Sequence, residues 1–78
     1  MAFELNEKII TGYIAASTIL TSALSSQLGV SSEALLEILL NNPKWTVSKA
    51  GKWTLAINNK KLIASVSTDE RRIDFNTN

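Results

Sequence analysis

The sequence predicts an α+β fold: two or three N-terminal helices packed on one face of a four-stranded antiparallel β-meander. Three observations predict it. Apolar residues recur at helical spacing before Pro43 and alternate after it. Turn-forming residues punctuate the second half at Gly51, Asn58-Asn59 and Asp69-Glu70. The strand registers set by those turns agree on a single apolar face, as a sheet covered on one side requires.

The helical half begins at Asn6, a residue suited to capping a helix start. Leu5, Ile9, Tyr13, Ala16, Leu20 and Leu24 fall near one helical stripe. Two divisions fit this stretch. Either residues 5–28 form one long helix, or Ser17-Thr18 interrupts it and a second helix begins near Thr21. Ser31 suits the cap of the next helix, with Ser32 and Glu33 in its first turn. Asn41-Asn42 and Pro43 end it.

In the second half, Lys49-Ala50-Gly51 reads as a three-residue loop with Gly51 left-handed, setting Val47 opposite Trp53 and Trp45 opposite Leu55. Asn58-Asn59 reads as a two-residue turn, setting Leu55 opposite Leu62 and Trp53 opposite Ala64. Asp69-Glu70 closes a third turn, with Val66 opposite Ile73 and Ala64 opposite Phe75. Trp45, Val47, Trp53, Leu55, Ile57, Leu62, Ala64, Val66, Ile73 and Phe75 then share a face. The other face is mostly Thr, Ser, Lys and Arg, with Ile63 an exception. The two tryptophans read as core, since stacking on nucleic-acid bases needs exposed rings.

With 78 residues the chain is expected to form one domain over 1–78: helices over about 5–41, the meander over about 44–75, and a short disordered tail at 76–78. A core this small contributes only about 3–5 kcal/mol. Homodimerisation is therefore an expected way of adding buried area. Cys and His are absent, which removes disulfides, thiolate metal sites and the commonest general base and metal ligand. No nucleophile–base pair, Gly-rich phosphate loop or ligand cluster stands out, so neither catalysis, a metal nor a cofactor is expected. MAFELNEK is acidic where a signal peptide is basic. Ile9 to Ser32 carries no charge, but Thr, Ser, Gly and Gln dilute it, so it reads as buried helix rather than a membrane span. The expected location is the cytoplasm.

The formal net charge of +1 conceals a segregation. Residues 1–43 set Lys8 against Glu4, Glu7, Glu33 and Glu37, a net −3. Residues 44–61 hold Lys44, Lys49, Lys52, Lys60 and Lys61 without an acid, a net +5. Residues 62–78 carry a net −1. The basic block reads either as an electrostatic footprint for nucleic acid or as a solvated sheet edge that discourages aggregation.

The stretch TSALSSQLGVSSEALLEILL, residues 21–40, resembles the helix-turn-helix of phage and bacterial regulators. Gly29 stands at the turn glycine, Ser25 at the small-residue position where the helices approach, and Leu24, Leu28, Val30, Leu35 and Ile38 at the apolar packing positions. The hairpin that follows is similar to that of winged helix-turn-helix domains, and KWTLAINNKKLIASV resembles the layout of small Cro-type repressors. The resemblance implies a winged-helix-like fold and a small nucleic-acid-binding regulator whose target is double-stranded DNA. Carried over, Ser31, Ser32, Glu33, Leu36 and Glu37 would face the bases, Lys49 and Lys52 would form the wing, and Lys44, Lys60 and Lys61 would touch phosphate. Two departures resist it. The third helix carries two glutamates and no cation, although phosphate neutralisation supplies much of DNA affinity. LLEILL also places Leu36 and Leu40 where DNA-facing residues belong. These departures favour an alternative, a protein-binding module such as a small phage-type inhibitor or accessory protein, with Leu36 and Leu40 at the protein interface.

Overall fold

A computed structural model describes residues 4–41 and 43–78. Three helices, α1 (Glu7–Ala15), α2 (Thr18–Leu28) and α3 (Ser32–Leu40), precede four strands, β1 (Thr46–Val47), β2 (Trp53–Ile57), β3 (Lys60–Val66) and β4 (Ile73–Thr77). The strands form one antiparallel sheet in the order β1-β2-β3-β4. This is the α+β arrangement read from the sequence. Asn42, half of the expected helix stop, lies outside the described residues, as do residues 1–3 of the acidic N-terminus.

Each helix start is capped by its own side chain. Asn6, Ser17 and Ser31 accept from the N–H groups of Ile9, Leu20 and Ala34, satisfying donors that have no partner inside the helix. Ser17 decides between the two divisions of residues 5–28. Its extended backbone breaks the run, α2 starts at Thr18 rather than near Thr21, and the axes of α1 and α2 bend by 104°. The buried Thr21 hydroxyl fixes the corner by donating to Ile14 O at 2.7 Å. The break also corrects the expected stripe. Ile10 and Ile14 are the buried positions of α1, while Ile9 and Tyr13 are exposed, because α1 ends before Ala16 and never shares an axis with Leu20 and Leu24. Among the described residues no single helix is long and apolar enough to cross a membrane.

The sheet follows the expected registers. Val47 pairs with Trp53, Leu55 with Leu62, Trp53 with Ala64, Val66 with Ile73 and Ala64 with Phe75. Gly51 at φ 79°, and Asn58 and Asn59 at φ 52° and 62°, adopt the left-handed backbone that their turns require. The third turn is wider than a two-residue closure. Ser67 N–H donates to Arg72 O, leaving a loop of residues 68–71 with Glu70 left-handed at φ 58°. Residues 76–78, expected as a tail, belong to the sheet: β4 reaches Thr77, and Asn78 and Lys61 exchange backbone hydrogen bonds. Val47 is 50% exposed rather than covered, because β1 is a two-residue edge strand.

Ile10, Ile14, Leu24, Leu28, Leu35 and Leu39 from the helices meet Leu55, Ile57, Leu62, Ala64 and Ile73 from the sheet in one core. Trp45, Trp53 and Phe75 pack against it half-buried. The two indoles meet edge to face at 6.5 Å and 71°.

Candidate nucleic-acid interface

Gly29 turns the chain between α2 and α3 with the positive φ expected of it. Gly29, left-handed at φ 73°, ends α2 in a Schellman pattern: Val30 N–H donates to Ser25 O at 3.0 Å and Gly29 N–H to Ser26 O at 3.3 Å. A side chain at Gly29 is resisted twice, by its φ and by Asn58, whose Nδ2 stands 3.0 Å from where a Cβ would be. Ser25 is buried at the close approach of the helices. Its hydroxyl donates to Ser22 O at 2.9 Å, so the 3.2 Å contact between Ser25 Oγ and Ser32 Oγ takes its proton from Ser32. Leu24, Leu28 and Leu35 are buried at this junction, with Val30 and Ile38 half-buried beside them.

The α2 terminus is tied to the sheet by three side chains. Asn58 Nδ2 donates to Leu28 O at 3.0 Å and, more weakly, to Gly29 O at 3.4 Å. Lys60 Nζ donates to Gln27 O at 3.0 Å, placing a cation at the negative end of the helix. Thr77 Oγ1 donates to Gln27 Oε1 at 2.6 Å. The β2–β3 hairpin tip therefore sits against the turn between α2 and α3. Sequence reading assigned Asn58 only its turn and gave Gln27 and Thr77 no role. Partners separated by 30 to 50 residues leave no local signal.

This tie fixes where the candidate interface residues stand. Ser31 and Ser32 lie at the start of α3, but both hydroxyls are engaged, one as the cap and one on Ser25. Glu33 and Glu37 are exposed on α3. Leu36 is half-buried and Leu40 is 69% exposed. Lys49 and Lys52 belong to the β1–β2 hairpin, at the end of β2 away from Asn58 and thus away from the start of α3. That separation is at least about 17 Å along the strand. Lys60 is held by Gln27, whereas Lys61 pairs across the strand with Ala56. Lys44 and Glu37 line a groove of about 590 Å³ between α3 and the edge of β2, with Ile38, Asn41 and Ala56. The structure thus brings Ser31, Ser32, Glu33 and Lys60 to one end of the molecule and sends Lys49 and Lys52 to the other.

The Arg72 guanidinium is also committed. Arg72 pairs with Asp69 at 3.4 Å and Asp74 at 3.2 Å. Asp69 further accepts from the Ser67 hydroxyl and the Arg71 N–H, and these bonds hold its carboxyl below the usual 3.8, with the Arg72 charge adding to them. Among the described residues no group of three or more His, Cys, Asp or Glu is placed to hold a metal ion.

No protein-family model, curated protein or solved structure matches the chain.

Proposed function

We propose that the chain is a small nucleic-acid-binding regulator of the winged helix-turn-helix type. The α2–Gly29–α3 junction carries the proposal. A left-handed glycine, a buried serine at the helix approach and a three-residue turn support the reading. An antiparallel meander follows directly. On this reading α3 offers Glu33 and Glu37 to base edges, as acceptors from cytosine N4, and Lys60, at the same end of the molecule, stands nearest the phosphates. A homodimer in the cytoplasm is proposed with it, because a second copy adds area that a 78-residue core lacks. The test is fluorescence anisotropy against mixed-sequence duplex DNA at low and at physiological salt. Binding that weakens steeply with salt is expected. A folded sample that binds nothing at low salt refutes the reading.

One observation favours a second reading, a protein-binding module. Leu40 is 69% exposed beside Gly12, Ala15 and Pro43 in a shallow groove between α1 and α3, and Ile19 on α2 is 85% exposed. On that reading Leu40→Glu leaves the fold intact and removes a partner, measured by size-exclusion chromatography with light scattering and by a thermal melt. A variant that unfolds would make Leu40 structural and end the second reading there.

A further inference from the structure

The charge segregation of the sequence becomes a segregation between two layers. Residues 43–66, which build β1, β2, β3 and the turns joining them, carry five lysines and no Asp or Glu. The helical residues 4–41 carry four glutamates and Lys8. Both salt bridges among the described residues belong to Arg72, so neither engages a lysine of the sheet.

Strand alternation sorts these lysines by face. Lys60 turns to the helices, as its bond to Gln27 O shows. Its neighbour Lys61 therefore points out from the open face, level with the exposed Ala56. Lys52 precedes Trp53, whose ring packs toward the core, and so points out as well. Between them the open face presents Thr54 opposite Ile63, with Asn76 beyond it, and Ser65 opposite Asp74. Lys44 stands at the β2 edge next to Ala56, and Lys49 at the β1–β2 tip. Among the described residues the aromatic rings lie on the other side. Trp45, Trp53 and Phe75 pack on the core, and Tyr13 meets Phe75 at 5.8 Å.

We propose that the open face of the sheet binds the phosphate backbone of duplex nucleic acid, through Lys52 and Lys61, with Thr54, Ser65 and Asn76 as hydrogen-bonding groups between them. Charge complementarity names the ligand. A polyanion is attracted to the acid-free strands β1 to β3, and Asp74, the carboxylate that stands on this face in β4, is paired with Arg72 at 3.2 Å. Among the described residues this face carries no aromatic platform, which points to the duplex, because single strands are held by stacking bases on exposed rings. Lys52 and Lys61 stand roughly 14 Å apart, from about 3.4 Å per residue along a strand and about 4.8 Å between strands. The inference rests on the nucleic-acid reading for its ligand class, and it adds a backbone contact on the sheet face, distinct from the α3 surface of that reading.

The test measures duplex affinity across a salt series for the wild type, for Lys52→Gln with Lys61→Gln, for Lys52→Arg with Lys61→Arg, and for Glu33→Gln with Glu37→Gln. Circular dichroism checks the fold of each. Removing two phosphate contacts lowers the slope of log affinity against log salt by about 2. The arginine pair keeps the wild-type slope, and the α3 pair leaves it unchanged. A wild type that does not bind duplex at low salt overturns the nucleic-acid reading and this inference together. A wild type that binds while the glutamine pair keeps the full slope overturns the sheet face alone. Tighter binding to single strands than to duplex overturns the choice of ligand.

Discussion

Asn58 offers the sharpest test of how the helices are joined to the sheet. Its side chain does two things: it tolerates φ 52° in the β2–β3 turn, and it donates to Leu28 O at 3.0 Å. The two contributions separate by substitution. Asn58→Gly keeps the left-handed backbone and loses the donor. The lost hydrogen bond is worth about 1 kcal/mol, and the 3.4 Å contact to Gly29 O adds little. Asn58→Ala loses the same bond and also forces a β-carbon into the left-handed region, roughly 1–2 kcal/mol more. The expected losses are therefore about 1 kcal/mol for glycine and about 2–3 kcal/mol for alanine. In a domain of this size each kcal/mol lowers the melting temperature by about 4–8 °C. Urea denaturation and thermal melts measure both. Amide exchange adds a local readout, with Gly29 and Val30 losing protection first, since their acceptors Ser26 O and Ser25 O lie in the last turn of α2. A glycine variant with the wild-type midpoint and unchanged exchange at Gly29 would refute the reasoning, and packing alone would then hold α2 on the sheet.

Three further outcomes are expected. Ser25→Val overfills the α2–α3 approach, where Ser25 Oγ and Ser32 Oγ are 3.2 Å apart, and destabilises the domain by about 1–3 kcal/mol in urea denaturation. Trp45→Phe costs less than about 1 kcal/mol, because the buried Trp45 Nε1 has no hydrogen-bond partner among the described residues and removing it offsets part of the lost ring area; a larger loss in the same assay would contradict this. Asp69 has a depressed folded-state pKa, so its contribution is present above its ordinary value of 3.8 and is lost as pH falls through the depressed value. Asp69→Asn removes that acid-side dependence, measured as a flatter dependence of melting temperature on pH below about 4.

The sheet was legible because its information is local. Gly51, Asn58 and Asn59 sit where the chain reverses, and each fixes a register that the alternating apolar residues then repeat. The α2–α3 junction was legible for the same reason, through Gly29, Ser25 and the cap at Ser31. The stripe of α1 was misplaced because a helical stripe has meaning only along one axis, and Ser17 ends that axis within a run that stays apolar on both sides. Val47 was expected to be covered because alternation assigns a face without saying whether a neighbouring element reaches it. The candidate interface was the least legible part. Which end of the sheet meets α3 depends on the bond between Asn58 and Leu28 O, and no spacing in the sequence encodes it. The hydroxyl of Ser32 likewise looked free until Ser25 Oγ was placed beside it.

The division of the core between the two halves of the chain has a consequence for synthesis. The apolar faces of α1, α2 and α3 are complete once residue 40 has been added, but their covering side chains arrive with Leu55, Leu62, Ala64 and Ile73. At about 5–20 residues per second, a ribosome needs roughly 2–7 s to pass from α3 to the end of β4. Through that interval six apolar helix residues, Ile10 to Leu39, have no sheet to bury them. A chain cut after α3 keeps these six side chains without their cover, and is expected to be a substrate for degradation rather than a smaller domain.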